Sequence, residues 1–136
     1  MALAHPVLHR VGGGLPLRHF FPKVIRPGLD NVSRALDLLG HPEESFATVL
    51  VAGTNGKGSV SAMIESGLRR AGYRTGLYTS PHLVNVRERT QIRGTPVGPA
   101  AWVRATHRVA AMARKHRLPL TEFEAQTLAS FLEFES

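Results

Sequence analysis

Residues 49–60 hold the pattern most suggestive of chemistry in this chain, a glycine-rich turn with one lysine between an apolar run and a helical stretch. Gly53, Gly56 and Gly58 allow positive φ values and let the backbone approach an anion without a Cβ in the way. Backbone N–H groups of this turn can point into one concavity, where the helix dipole adds partial positive charge and Lys57 adds a full one. The order of strand, glycine loop and helix N-terminus therefore predicts a phosphate-binding cradle.

The turn departs from the generic phosphate-loop pattern G-x-x-x-x-G-K-[ST]. The first glycine of that pattern would fall at Val51, and Gly58 follows the lysine where Ser or Thr is expected. The alternative is an ordinary strand-to-helix turn in which glycine serves packing alone. Three glycines around one lysine, between a strand-like run and a striped helix, favour phosphate binding.

Several short motifs resemble those of one enzyme family. The loop Gly53-Thr54-Asn55-Gly56-Lys57-Gly58-Ser59 is similar to the nucleotide loop of the folylpolyglutamate synthase/dihydrofolate synthase family, within the Mur-type ATP-dependent amide ligases. Gly58 favours the folate branch, because the muramyl enzymes usually carry Thr or Ser after the lysine. The family has further signatures, and three segments of this chain resemble them: Thr79-Ser80-Pro81-His82-Leu83, Glu88-Arg89 and Thr121-x-Phe123-Glu124. Upstream, Pro27-Gly28-Leu29 resembles the approach to the loop. The resemblance covers residues 26–136, and residues 1–25 do not align.

The resemblance implies a reaction that joins L-glutamate to a folate or dihydropteroate carboxylate through an acyl phosphate, with ATP and Mg²⁺ as cofactors and ADP as a product. It implies that the residues of the loop bind the nucleotide, with Lys57 also catalytic. It implies that Ser80 and Glu124 are metal ligands and that His82 and Arg89 contact substrate. Family members are several times longer, so the chain is expected to be a truncated N-terminal portion that lacks the C-terminal domain and is inactive by itself.

Several assignments have alternatives. Ser80 could merely end a strand before Pro81, His82 could serve loop structure, and Thr121-x-x-Glu124 is also a helix capping box. Arg87 and Thr90 depart from the family pattern of Asn before Glu-Arg and Ile after it. The rival functions are a Mur-type ligase with another acyl acceptor and a non-catalytic, stand-alone nucleotide-binding module.

Composition places the chain among ordinary globular proteins, with 136 residues, 43% hydrophobic and 20% charged. No apolar run reaches the ~18 residues that span a bilayer, and no signal peptide or cysteine is present, so a cytoplasmic location is expected. The net charge of +7 comes from 14 arginines and 3 lysines, which could serve anionic nucleotides or nucleic acid. Few aromatic residues, among them Trp102, stand between the basic ones, which favours small-molecule substrates over nucleic acid. The full-length protein to which this chain is expected to belong is predicted to be a monomer.

Periodicity predicts an α/β phosphate-loop fold with a mostly parallel sheet flanked by helices. Residues 1–28 are expected to form an irregular segment, and the resemblance implies that residues 29–136 are the N-terminal part of a Mur-ligase-like ATP-binding domain. The predicted helices cover about 29–39, 58–71, 99–116 and 122–135; the predicted strands cover about 46–52 and 75–79 and a hairpin over 87–97. Strand, helix and strand at this spacing predict a right-handed parallel βαβ unit. Helix 58–71 is expected to bury a stripe made by Val60, Met63, Ile64, Gly67, Leu68 and Ala71.

Overall fold

The computed structural model describes residues 20–22, 24 and 27–136, so most of the predicted irregular segment 1–28 lies outside the described residues. Four α-helices are formed in the described part of the chain: α1 (Asp30–Leu39), α2 (Lys57–Arg70), α3 (Pro99–Lys115) and α4 (Glu122–Glu135). Two short 3-10 helices cover Pro42–Ser45 and Val86–Arg89. All four predicted α-helices are confirmed to within one or two residues at each end.

The helix ends follow from local chemistry. Gly40 ends α1 in the left-handed conformation at φ 86°, and its N–H points back to the carbonyls of Asp37 and Leu36. Gly98 precedes α3 and Pro99 occupies its first position, where a missing N–H costs no helical bond. Among the described residues, no helix combines the length and the apolar character that crossing a bilayer requires.

One small sheet contains three short strands: β1 (Gly76–Tyr78), β2 (Thr90–Ile92) and β3 (Thr95–Pro96). Both strand pairs are antiparallel, with Leu77 opposite Gln91 in the first pair. The hairpin between β2 and β3 turns at Arg93 and Gly94, whose φ angles are 51° and 75°. Positive φ at both central residues matches the right-handed twist of the flanking strands, and the predicted hairpin is confirmed.

The predicted strand over 46–52 is wrong for the described structure, because these residues pair with no strand there. Val49 and Leu50 are 64% and 88% exposed. An apolar run needs a neighbouring strand to satisfy its backbone and cover its side chains, and no described segment supplies one. The parallel βαβ unit therefore does not form in the described part of the chain, and β1 pairs instead with the antiparallel β2.

The predicted buried stripe of α2 is also wrong in this structure. Val60, Met63 and Leu68 are 45%, 72% and 40% exposed, and the buried residue of α2 is Glu65. Periodicity marks a face that is suited to burial, but a second element must cover that face. The exposed stripe lies on the helix that follows the exposed run 46–52.

The core is built mainly by α3 and α4, which pack against each other. Ala125, Leu128 and Ala129 of α4 are fully buried, as is Val109 of α3. Burying a leucine side chain stabilises the fold by roughly 1.5–3 kcal/mol. Two polar side chains join the sheet to this core, where the hydroxyl groups of Thr90 and Ser130 are buried and 2.7 Å apart. This contact fixes the middle of the sheet on α4.

Gly76 lets α4 approach the sheet edge closely. A Cβ at this position would lie 2.5 Å from Cδ1 of the Phe134 ring and 3.0 Å from its Cγ. We expect Gly76→Ala to lower the free energy of unfolding by about 1–3 kcal/mol, because the ring must move from its packed position. Urea unfolding followed by circular dichroism measures this change.

The matched control is Gly67→Ala, in the interior of α2, where an added Cβ meets no atom within 4 Å. Alanine is about 1 kcal/mol better than glycine in a helix interior, so this variant should be more stable than the parent. Equal changes for the two variants would contradict the close packing of Phe134 on β1.

Candidate functional site

The predicted phosphate loop forms an exposed turn that leads directly into α2. Gly53 and Gly56 adopt positive φ values of 148° and 75°, and Gly56 is the residue that precedes the helix. No side chain caps this helix start, so the N–H groups of Lys57, Gly58 and Ser59 have no intrahelical acceptor. An acidic residue is also absent from the first turn of α2. The loop therefore presents uncapped donors and the positive end of the helix dipole to an anion.

The ammonium group of Lys57 folds back over this turn. Its Nζ donates to the carbonyl oxygens of Gly53 and, at 3.2 Å, of Thr54. These contacts hold the positive charge at the same turn as the uncapped N–H groups. The structure therefore brings together the loop residues, Gly53, Thr54, Asn55, Gly56, Lys57, Gly58 and Ser59, in one exposed turn.

A buried carboxylate fixes the helix that carries the loop. Oε1 of Glu65 accepts from the hydroxyl of Thr75 at 2.7 Å and from Nε of Arg69 at 3.0 Å, and Glu65 is 7% exposed. The Arg69 guanidinium also lies over the hairpin turn, where a Cβ on Gly94 would be 3.1 Å from its Nε. Glu65 thus joins α2 to the residue before β1. Sequence reasoning missed this contact, although Glu65 and Arg69 show the i, i+4 spacing of a helical ion pair.

Ser80 lies where the chain leaves β1, as the sequence predicted. It is exposed, and the peptide bond between Ser80 and Pro81 is cis. The N–H of Thr79 donates to the carbonyl of Arg89 at 2.9 Å, which continues the pairing of β1 and β2 beyond the strands. The Ser80 hydroxyl is thereby held at the end of the sheet, where it makes no hydrogen bond within the described part of the chain.

His82 and Arg89 are in direct contact. Nε of Arg89 donates to Nδ1 of His82 at 2.9 Å, and its Nη1 donates to Oε1 of Gln126 on α4, also at 2.9 Å. The nearby Tyr78 hydroxyl lies 3.2 Å from the Thr127 hydroxyl. Burial raises the pKa of Tyr78, because the charged phenolate is poorly solvated there. The two residues predicted to contact substrate therefore form one hydrogen-bonded group anchored on α4.

Glu88 organises the turn that contains this group. Its carboxylate accepts from the backbone N–H groups of Leu83, Val84 and Asn85 at 2.7–3.4 Å, and the Asn85 side chain accepts from the N–H of Arg87. These bonds form a capping box at the second 3-10 helix. The donors at Leu83 and Asn85 lower the pKa of Glu88, because they stabilise its charged form. Glu88 thus supports the loop that presents Ser80 and His82.

Glu124 is part of a capping box at the start of α4. Its Oε2 accepts from the N–H of Thr121 at 2.7 Å, and the Thr121 hydroxyl accepts from the N–H of Glu124 at 3.3 Å. Oε1 of Glu124 makes no hydrogen bond within the described part of the chain. The side chain borders a cleft of about 110 Å³ that is also lined by Asp30 and Asn31. The cap therefore forms and leaves one carboxylate oxygen available to a ligand.

The predicted residues form separate groups. Within the described residues, no hydrogen bond or ion pair joins the loop over 53–59 to Ser80, His82 or Glu124. A cavity of about 440 Å³ lies between residues 20–22 and the end of α3 and is lined by none of the predicted site residues.

A further acidic cluster lies after α1, where His41 contacts Asp37, Glu43 and Glu44. The hydrogen bond to the Glu43 carboxylate raises the pKa of His41, because it stabilises the protonated ring. These contacts tie the end of α1 to the 3-10 helix that follows it.

Known proteins resemble this chain in both sequence and structure. The dihydrofolate synthase/folylpolyglutamate synthase of Bacillus subtilis is 38% identical over 114 residues, which cover 81% of this chain and 26% of that protein. The structure of Escherichia coli FolC in complex with DHPP and ADP superposes with a TM-score of 0.79 at 35% identity, over 88% of this chain and 28% of that one. This chain is a homologue of the folylpolyglutamate and dihydrofolate synthases.

A bifunctional folylpolyglutamate synthase/dihydrofolate synthase with Mn, AMPPNP and L-glutamate bound gives a TM-score of 0.77 at 31% identity, again over 88% of this chain and 28% of that one. No protein-family model matches the chain. The chain spans about a quarter of the length of the curated relatives that it matches. Homology therefore extends over one part of these enzymes.

The Glu88 cap predicts an acid-sensitive loop. Because the pKa of Glu88 is lowered in the folded protein, its stabilising contribution is present above the unfolded glutamate value of about 4.3 and is lost as the pH falls through the folded pKa. We expect Glu88→Ala to increase hydrogen exchange at the amides of Leu83, Val84 and Asn85 at neutral pH. Exchange measured by NMR at pH 6.5 checks this.

The control for this experiment is Glu135→Ala, which removes an exposed carboxylate at the end of α4. It should leave exchange at residues 83–85 unchanged. Unchanged protection in Glu88→Ala would contradict the supporting role of the carboxylate.

Proposed function

We propose that this chain is the N-terminal part of the ATP-binding domain of a ligase that joins L-glutamate to a folate or dihydropteroate carboxylate. The observation that carries the proposal is the exposed, uncapped start of α2, where glycines with positive φ and the Lys57 ammonium surround one turn. Support also comes from the similar structures, whose complexes contain ADP, AMPPNP, DHPP and L-glutamate.

In the proposed reaction, an oxygen of the substrate carboxylate attacks the γ-phosphorus of ATP and ADP leaves. The amine of glutamate then attacks the acyl carbon, a proton is lost from nitrogen, and inorganic phosphate leaves. This chemistry requires neutralisation of phosphate charge and alignment of the two substrates rather than a covalent nucleophile. Lys57 and the N–H groups of the loop supply the charge and the donors on the phosphate side, with the ammonium exchanging its bonds to Gly53 and Thr54 for phosphate oxygens.

The residues proposed as metal ligands have suitable chemistry for Mg²⁺, which would neutralise charge on the nucleotide phosphates. Magnesium prefers hard oxygen ligands and keeps several waters. Ser80 offers an exposed hydroxyl at the end of β1, and Glu124 offers the carboxylate oxygen that the helix cap does not use. The two roles of Glu124 are compatible, because each uses a different oxygen.

The exposed apolar surface formed by 46–52 and α2 supports the proposal of a longer domain. Leu50 and Met63 on this surface are 88% and 72% exposed, which is costly unless another element covers them. We infer that a parallel strand from further along such a domain pairs with 46–52. Ligation by residues 1–136 alone is not expected, since acyl transfer needs both substrates held against the phosphate.

Lys57→Ala tests the phosphate loop. Hydrogen bonds to charged groups contribute roughly 1.5–3 kcal/mol, so we expect the variant to bind MgADP at least tenfold more weakly by titration calorimetry. Lys115→Ala is the matched control, because it removes one exposed lysine from the end of α3. Equal MgADP affinities for the unmutated chain and Lys57→Ala would refute the assignment of residues 53–59 as a phosphate-binding loop.

Glu124→Gln separates the cap from the metal ligand. The glutamine carbonyl can accept from the Thr121 N–H and keep the capping box, but it is a poor Mg²⁺ ligand. We expect thermal stability to be nearly unchanged, while the increase in ADP affinity on adding Mg²⁺ is largely lost. Calorimetric titrations with and without the metal measure this difference.

Thr121→Ala is the complementary control, since it removes the hydroxyl half of the capping box. It should cost about 1 kcal/mol of stability and retain the effect of Mg²⁺. If Glu124→Gln kept the full effect of Mg²⁺, Glu124 would be a helix cap alone.

A further inference from the structure

The contact between Arg89 and His82 selects one protonation form of the histidine ring. Nε of Arg89 donates to Nδ1 of His82 at 2.9 Å. We propose that Arg89 is a positioning residue that holds His82 with its proton on Nε2, so that His82 presents an N–H donor to an anionic oxygen of the substrate. The donor role rests on the proposed function, whereas the protonation form can be tested without it.

The chemistry of the pair leaves a single arrangement. A guanidinium has five N–H donors and no acceptor, and it stays charged in proteins. Nδ1 of His82 must therefore carry the lone pair, and in the neutral ring the proton is on Nε2. Nε2 has no hydrogen-bond acceptor among the described residues. It is also not one of the fully buried side-chain atoms that lack a hydrogen-bond partner. The N–H donor is thus open to a ligand.

Arg89 is itself held firmly enough to orient the ring. Its Nη1 donates to Oε1 of Gln126, which is 3% exposed, and the amide nitrogen of Gln126 donates to Oε1 of Glu122 at 3.0 Å. The orientation of the Gln126 amide follows from these two bonds, because its oxygen faces the Arg89 donor and its nitrogen faces the Glu122 carboxylate. Arg89 therefore donates in two directions, to Gln126 on α4 and to Nδ1 of His82.

The loop around His82 reinforces this geometry. Glu88, next to Arg89, accepts from three backbone N–H groups over residues 83–85. Ser80, the proposed metal ligand, is two residues before His82. The proposed reaction brings together two anionic groups, a carboxylate and a phosphate, and an oxygen of either is a suitable acceptor for such a donor.

The protonation form is measured directly by NMR. In the ¹⁵N-labelled chain at pH 8, two-bond ¹H–¹⁵N correlations distinguish a ring nitrogen that carries a proton from one that does not. The His82 signals are assigned by their loss in His82→Asn. We expect Nδ1 of His82 at the position of an unprotonated nitrogen, and in Arg89→Met we expect both nitrogens to move towards values averaged between the two neutral forms.

Arg87→Met is the matched control. Arg87 also donates to a backbone acceptor, the carbonyl of Val97 at 3.0 Å, but it makes no hydrogen bond with His82 in the described structure, so the His82 signals should stay unchanged. A proton on Nδ1 in the parent protein, or unchanged His82 signals in folded Arg89→Met, would overturn the positioning role. The parent spectrum decides this even if Arg89→Met fails to fold.

Two probes test the donor role and distinguish its acceptor. A change in the His82 Nε2 signal on adding MgADP assigns a phosphate oxygen, and a change on adding dihydropteroate assigns a carboxylate oxygen. No change with either probe overturns the donor role. Failure of the proposed function would be seen separately, as equal MgADP affinity in the parent and Lys57→Ala.

Discussion

The burial of α4 against α3 and the small sheet is the interaction on which the rest of the structure depends. One face of the helix fills the core with Ala125, Leu128 and Ala129. Its other residues reach the sheet, through Ser130 to Thr90 and through the Phe134 ring over Gly76. Because the antiparallel sheet has only three short strands, it cannot be stable without such a support.

The packing of α4 on α3 and the sheet fixes the positions of several candidate site residues. Gln126 accepts a hydrogen bond from Arg89, Thr127 contacts Tyr78, and Glu124 lies in the first turn of the same helix. The loop that follows β1 is then closed by Glu88 and presents Ser80 and His82 at the end of the sheet. The phosphate loop is attached differently, since α2 reaches the sheet through Glu65 and Thr75. Two independent attachments thus carry the two halves of the proposed site.

The exposed surface of 46–52 and α2 explains why periodicity succeeded for some elements and failed for others. For α3 and α4, each helix has the other to pack against, and the predicted helix bounds agree with the structure. For 46–52 and α2, the same kind of pattern has no partner in the described residues. An apolar pattern shows that a face is suited to burial, but the face is buried only where a second element covers it.

The sequence by itself determined the local features: the helix ends at Gly40 and Gly98, the hairpin turn at Arg93 and Gly94, and the glycine loop before α2. Each follows from a backbone preference or a cap that acts within a few residues. Only the tertiary structure decided the antiparallel pairing of β1 with β2, the burial of Glu65, and the contacts of Arg89 with His82 and Gln126. These depend on groups up to 37 residues apart in the chain, and their geometry is set by how the helices pack.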